Sequence, residues 1–183
     1  DNVSDKYIIY PVTANPLHEG HIDIARHIAS IEEKEVAFLL SVNHPDKNSL
    51  SAYDIKKRLM QFYGLAPVIL YNGSGLFQDM TKRFKKCKFI LGADALQNMF
   101  SPKHLGVDDV LKKNINELTE MFVENKTRFL VVGRNVKDMG FVSASKAITQ
   151  FIPSWLSSHL DKYEPVYYRN EISSSLLRTK RDF

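Results

Sequence analysis

Two histidines three residues apart flank a glycine near the start of the chain: His18, Gly20 and His21. Glycine allows a backbone to approach a ligand closely, and the first N–H groups of a helix have no partner within that helix. Imidazoles on the same turn can donate hydrogen bonds to phosphate oxygens without the desolvation cost of an ammonium group. The turn is therefore predicted to bind the triphosphate of a nucleotide.

The residues of this turn also allow two other interpretations. One is an ordinary turn with two surface histidines, which is common for either residue alone. The other is a zinc pair, since a spacing of three is usable on a helix. Zinc needs three or four protein ligands, however, and no convincing third ligand accompanies the two imidazoles.

A second motif near the other end of the chain strengthens the phosphate interpretation. It reads Ile172-Ser173-Ser174-Ser175-Leu176-Leu177-Arg178. Serines at a helix start cap free N–H groups, and Arg178 lies on the same face as Ser174, four residues earlier. Hydroxyls, N–H groups and a guanidinium together can hold a phosphate. The alternative is a serine N-cap followed by a surface arginine.

Apolar runs and amphipathic stretches alternate along the chain and must position these motifs. Strands are predicted at residues 7–10, 36–42, 67–71, 88–91, 129–132 and 166–168. Helices are predicted from His21, from Ser51, at residues 78–86, 107–126 and 173–180, and as short segments around Ala144 and Trp155. The inner face of the 107–126 helix is assigned to Val107, Val110, Leu111, Leu118 and Phe122.

This alternation predicts an α/β fold, a Rossmann-like, doubly wound and mostly parallel sheet with helices on both faces. Such sheets bind ligands beyond the carboxyl ends of their strands, where the strand order reverses. Four motifs follow predicted strands: residues 15–21, residues 43–47, residues 92–94, and the pair Gly133-Arg134. Their clustering at strand ends predicts one shared site.

Composition limits the remaining possibilities. Residues 1–183, of which 44% are apolar, are expected to form one domain with its own core, and no apolar run is long enough for a membrane span. The start at Asp1, without a charged and apolar leader, suggests an excised domain rather than a secreted chain. Cys87 is the only cysteine, which excludes an internal disulfide and favours a reducing compartment, most simply the cytosol.

The densest basic stretch, residues 82–88, is interpreted as a solvated helix face. Binding of nucleic acid is the minority alternative, because no interleaved aromatic side chains accompany the lysines. The net charge of +4 suits an anionic ligand without indicating nucleic acid.

The paired motifs resemble those of the nucleotidylyltransferase superfamily, which joins a nucleotide to a phosphate-bearing acceptor and releases pyrophosphate. The resemblance extends in order from Tyr7 to Arg178 and is nearest to the nicotinate and nicotinamide mononucleotide adenylyltransferases and to a cytidylyltransferase-like branch. The intermediate motifs are Asn43-His44-Pro45-Asp46-Lys47 with Arg58-Leu59-Met60, Leu76-Phe77, Phe89-Ile90-Leu91-Gly92-Ala93-Asp94, and Leu130-Val131-Val132-Gly133-Arg134.

The resemblance implies a role for each motif. His18 and His21 would contact the ATP phosphates, Lys47 would reach the acceptor or the α-phosphate, and Arg178 would complete the catalytic set. Asp94 would bind the nucleotide sugar or base. Mg²⁺ would ride on the phosphates, since no carboxylate cage is visible. The other nucleotide-binding positions it implies are Thr13, Ala14, Asn15, Gly20, Gly92, Arg134, Ile172, Ser173 and Ser174.

The sequence departs from the family pattern in two places. The glycine-rich start before Asn-Pro is replaced by Pro11-Val12-Thr13-Ala14, and Phe100 is the aromatic residue after Gly-x-Asp, where a tryptophan is common. The expected partners are ATP or another nucleoside triphosphate and a small phosphorylated acceptor. The alternatives are CTP as donor, simple ATP hydrolysis, a nucleotide-binding regulatory domain without turnover, and an RNA-binding module. The chain is too short for a class I aminoacyl-tRNA synthetase core and lacks its lysine-rich signature.

Overall fold

A six-stranded parallel sheet forms the centre of the chain. The computed structural model describes residues 3–43 and 49–168; the predicted helix at 173–180 lies outside them, as do Lys47, Ile172, Ser173, Ser174 and Arg178. The strands of the sheet are β1 (Tyr7–Pro11), β2 (Glu35–Ser41), β3 (Val68–Tyr71), β4 (Lys88–Gly92), β5 (Arg128–Val132) and, after a small hairpin of β6 (Arg134–Val136) and β7 (Gly140–Val142), β8 (Tyr163–Val166).

The order of the strands is β3-β2-β1-β4-β5-β8, with every pairing parallel. The chain moves outward from β1 in one direction through β2 and β3, and from β4 in the other direction through β5 and β8. The order therefore reverses between β1 and β4, where a doubly wound sheet opens its ligand crevice. The predicted Rossmann-like fold is confirmed.

Helices cover both faces of this sheet. They are α1 (Val3–Lys6), α2 (Glu19–Glu32), α3 (Ala52–Leu59), α4 (Phe77–Arg83), α5 (Ala93–Met99), α6 (Pro102–Leu105), α7 (Asp108–Glu124) and α8 (Ala144–Phe151), with 3₁₀ helices at Met60–Phe62 and Ser154–Lys162. Ser51 caps α3 by accepting a 3.1 Å hydrogen bond from the Asp54 N–H, as the sequence predicted.

Two apolar layers lie on opposite faces of the sheet because successive strand residues point to opposite sides. Layer A contains Phe89 and Phe129, with Phe122 of α7 packed against them. Layer B contains Tyr10 and Phe38, together with the buried face of α2.

The structure corrects three details. The last strand is β8 (Tyr163–Val166) rather than residues 166–168. The predicted strand began after Pro165, whereas β8 includes this proline, which an edge strand tolerates. Val107 and Val110 are exposed, because Val107 only caps α7 and Ile115 takes the inner position beside Leu118 and Phe122. The β6–β7 hairpin was not predicted.

Candidate active site

The site begins in the histidine turn (residues 13–21), which joins β1 to α2. Ala14 is fully buried and has a φ of 48°, a left-handed conformation that costs a non-glycine residue about 1–3 kcal/mol. His18 is the N-cap residue of α2, and its side chain makes no capping hydrogen bond. Gly20 is buried in the first turn of that helix. The backbone conformation of the turn therefore places the His18 side chain without help from a capping bond.

The two imidazoles of the turn stack on each other, with ring centroids 3.8 Å apart. His18 is 7% exposed and His21 is 6% exposed. The buried atoms His18 Nδ1, His18 Nε2 and His21 Nδ1 have no hydrogen-bond partner in the described part of the chain. Buried polar atoms are nearly always paired in proteins, so these three atoms indicate a place for a polar ligand.

Burial keeps both rings neutral. Burial, and to a smaller extent the nearby Arg134 guanidinium, lowers the pKa of His18 from 6.5 to about 4. The pKa of His21 falls to about 3 through burial, then through the neighbouring His18 and through Arg134. Both rings therefore act at neutral pH as uncharged hydrogen-bond donors.

Acidification is expected to destabilise the ligand-free protein between pH 6.5 and 4. The histidine pKa values are lower in the folded state, so unfolding binds protons and the stabilisation present above pH 6.5 is lost as the pH falls. Each proton taken up on unfolding contributes about 1.4 kcal/mol per pH unit. Urea unfolding at several pH values measures how steeply the free energy of unfolding depends on pH. A variant carrying both His18→Asn and His21→Asn should show a weaker dependence on pH. Equal slopes would contradict the assignment.

The opposite wall of the site comes from the ends of β4 and β5. A Cβ placed on Gly92 would lie 2.6 Å from Asp94 Oδ1 and 3.0 Å from Arg134 Cγ, so both side chains reach over this glycine. Arg134 also acts electrostatically on the two imidazoles and on Tyr10. The structure thus brings the histidine pair, Asp94 and Arg134 to the point where the strand order reverses.

Gly92→Ala is expected to weaken nucleotide binding about tenfold with little change in stability. The backbone of Gly92 has φ −68° and ψ 153°, which alanine adopts freely, and the exposed Asp94 carboxylate can rotate away from the new methyl group. The free energy of unfolding should then change by less than about 1 kcal/mol, while the nucleotide loses a well-placed carboxylate. Denaturant unfolding and calorimetric titration measure the two effects. An unchanged affinity would contradict the assignment of Gly92 and Asp94 to the nucleotide site.

Other predicted residues lie apart from this group or at its margin. Phe100 is buried in layer A, with its ring 6.3 Å from the Tyr163 ring, and serves as a core residue. Asn43 donates to the backbone oxygen of Asn72 at 3.2 Å, which joins the ends of β2 and β3. Thr13 and Asn15 are exposed residues of the histidine turn.

Sequence reasoning missed three hydrogen bonds, made by the side chains of Arg58 and Gln61, that hold the histidine turn. Arg58 Nη1 donates to the Thr13 carbonyl at 2.7 Å. Gln61 Nε2 donates to the Ala14 carbonyl at 2.9 Å, and Gln61 Oε1 accepts from the Leu17 N–H at 2.9 Å. Arg58 belongs to a motif that resembles one of the superfamily, but nothing in its local sequence indicated a contact with a residue 45 positions away.

The described residues form neither a metal-binding cluster nor a membrane-spanning helix. Within residues 3–43 and 49–168, no group of three or more His, Cys, Asp or Glu side chains could hold a metal ion. Among the helices described there, none combines the length and the apolar character required to cross a bilayer.

Comparison with known proteins gives two findings. The sequence profile of a family described as Cytidylyltransferase-like matches residues 9–180. Among solved structures, the fold is similar to that of Plasmodium falciparum nicotinic acid mononucleotide adenylyltransferase complexed with NaAD, with a TM-score of 0.51 and 18% identity. The match covers 95% of this chain and 83% of the other. At that identity the likeness is one of fold.

Proposed function

Since this chain belongs to the cytidylyltransferase-like family of nucleotidyltransferases, we propose that it transfers AMP from ATP to a phosphate-bearing acceptor. The acceptor class is a small phosphorylated compound of the nicotinate or nicotinamide mononucleotide type, and the second product is pyrophosphate. CTP is the alternative donor, because the family is described as Cytidylyltransferase-like.

One observation carries this proposal: three imidazole nitrogens that have no hydrogen-bond partner within residues 3–43 and 49–168 lie in a buried position near Arg134. Neutral donors next to a fixed positive charge suit an anion that is rich in acceptor oxygens, such as a triphosphate. A second cation in place of the histidines would repel Arg134. The position between β1 and β4 supports the proposal, because ligands of doubly wound sheets bind there.

The proposed reaction is an in-line displacement. An oxygen of the acceptor phosphate attacks the α-phosphorus of ATP, and a new P–O bond forms. The bond between the α-phosphorus and the bridging oxygen breaks, and pyrophosphate leaves with the electron pair. The protein contributes positioning and stabilisation of the charge that develops on the phosphate oxygens, without a covalent intermediate.

The remaining residues of the proposed site have separate tasks. His18 and His21 donate to the triphosphate, and Asp94 accepts from the nucleotide sugar or base. Arg134 holds negative charge at the rim. Ser173, Ser174 and Arg178 bind the β- and γ-phosphates, and Lys47 reaches the acceptor or the α-phosphate; these four lie outside the described residues.

We propose that Mg²⁺ arrives on the triphosphate. Mg²⁺ usually keeps several of its waters and takes substrate phosphate oxygens as ligands, so the nucleotide would carry the ion without a cage of protein carboxylates. The ion would neutralise phosphate charge.

A panel of nucleotides and acceptors tests the function. Purified protein with Mg²⁺ is supplied with ATP, CTP, GTP or UTP, with and without nicotinic acid mononucleotide, nicotinamide mononucleotide or a phospho-alcohol, and pyrophosphate release is measured. We expect acceptor-dependent pyrophosphate from ATP. Release of pyrophosphate from CTP with a phospho-alcohol would identify a cytidylyltransferase. Release of orthophosphate without an acceptor would identify a hydrolase. Tight ATP binding without turnover would identify a regulatory domain.

A further inference from the structure

We propose that Gln61 is a positioning residue that holds the histidine turn in the geometry needed for nucleotide binding. This inference rests on the proposed function, because it assigns to Gln61 an effect on the phosphate-binding histidines. Gln61 lies in the 3₁₀ helix Met60–Phe62 and makes its hydrogen bonds to the turn with backbone atoms rather than with the histidine rings.

The side-chain amide of Gln61 bridges the two ends of a short loop. Its Nε2 donates to the Ala14 carbonyl and its Oε1 accepts from the Leu17 N–H, each at 2.9 Å. The two partners fix the orientation of the amide, since a carbonyl requires the nitrogen and an N–H requires the oxygen. A terminal amide is the neutral side-chain group that offers a donor and an acceptor side by side.

The bridged loop needs an external tie. Ala14 has a left-handed backbone without being glycine, and a conformation of that kind persists when its surroundings enforce it. The Leu17 N–H directly precedes His18, whose own side chain makes no capping bond. The ring of His18 is therefore aimed by the backbone that Gln61 holds.

Gln61 is itself rigidly placed. Its neighbour Phe62 is buried in layer B with its ring 5.0 Å from Phe38, which in turn stacks on Tyr10 at 5.4 Å. Tyr10 lies 6.0 Å from the ring of His21 in an edge arrangement. One row of aromatic rings thus connects the anchor of Gln61 to the second histidine.

Arg58 adds a third tie from the same segment of chain. Its Nη1 donates to the Thr13 carbonyl, and its own carbonyl lies 3.4 Å from Gln61 Nε2. Two side chains three residues apart therefore hold the turn backbone at three points, Thr13, Ala14 and Leu17. Gln61 is the better test of the two, because Gln61→Leu leaves the charge of the site unchanged, whereas a neutral residue in place of Arg58 removes a positive charge.

Two substitutions separate hydrogen bonding from packing. Gln61→Leu removes both bonds and keeps an apolar stem. Gln61→Glu keeps the shape and the acceptor for Leu17 but turns the donor for Ala14 into a second acceptor. Gln150→Leu, the same change at an exposed position of α8, is the matched control.

We expect both Gln61 variants to lower kcat/KM for nucleotidyl transfer 10- to 100-fold and to raise the ATP Kd measured by calorimetry about tenfold. The Leu17 amide should exchange with solvent at least tenfold faster in Gln61→Leu, with the amides of β5 unchanged. Gln150→Leu should match the wild type in every measurement. A Gln61→Glu or Gln61→Leu variant within twofold of the wild type in kcat/KM and Kd overturns the inference.

The outcomes distinguish this inference from the proposed function. If the wild type neither binds nor turns over any nucleotide of the panel, the function is wrong. The Leu17 exchange rate then still decides whether Gln61 holds the turn, and an unchanged rate refutes that as well. An active wild type with unimpaired Gln61 variants refutes the positioning role alone.

Discussion

Replacing His21 with alanine is expected to slow nucleotidyl transfer roughly 10²- to 10³-fold, by analogy with the loss of one preorganised donor from an oxyanion site. His21 is nearly fully buried and its Nδ1 lacks a partner in the described residues, so the ring is available to a ligand. A neutral donor in a dry site stabilises developing phosphate charge more strongly than water does. Initial rates of pyrophosphate release at saturating ATP measure the effect.

His27→Ala is the control for that experiment. His27 lies on the same helix as His21, but its ring packs against the ring of Tyr168, with the centroids 5.2 Å apart. It should retain wild-type turnover. If His21→Ala also retained wild-type turnover, the assignment of the histidine turn to the reaction would be wrong.

Replacing Arg134 with methionine is expected to weaken triphosphate binding about 10- to 100-fold, since hydrogen bonds to charged groups contribute about 1.5–3 kcal/mol. The same change should raise the pKa of both histidines, because the guanidinium charge helps to lower them. Calorimetric titration with ATP measures the first effect. An NMR titration of the imidazoles in the ligand-free protein measures the second, independently of any substrate.

Arg128→Met provides the matched comparison. Arg128 begins β5 at the opposite end of the sheet, where its side chain donates to the Asp161 carbonyl at 3.4 Å. Its loss should leave both the ATP affinity and the histidine pKa values unchanged. Equal effects of the two substitutions would mean that net charge, rather than the position of Arg134, governs binding.

The sequence predicted the parts of this molecule that follow from local rules. Apolar runs located the first five strands of the sheet, β1 to β5, and the strand-end rule gathered the histidine turn, Gly92, Asp94 and Arg134 at one edge. The secondary structure of residues 135–165 was harder to predict, because the two hairpin strands have three residues each and the last strand contains a proline.

The contacts that shape the histidine turn could not be predicted in the same way. Gln61 and Arg58 reach backbone atoms 44 to 47 residues away, and such pairs have no periodicity and no characteristic spacing. The stacking of His18 on His21 likewise depends on burial that only the assembled fold provides. Long-range bonds from side chains to backbone are set by tertiary packing rather than by local sequence.

The two walls of the cleft rest on different apolar layers. Ala14 and the buried face of α2 belong to layer B, whereas Ala93 of α5, Val136 of β6 and Val142 of β7 belong to layer A. Substitutions in the apolar layer that supports one wall therefore need not disturb the other wall. A mutant library confined to Ala93, Val136 and Val142, with Asp94 and Arg134 retained, should reshape the wall formed by α5, β6 and β7 while the imidazole pair keeps its place.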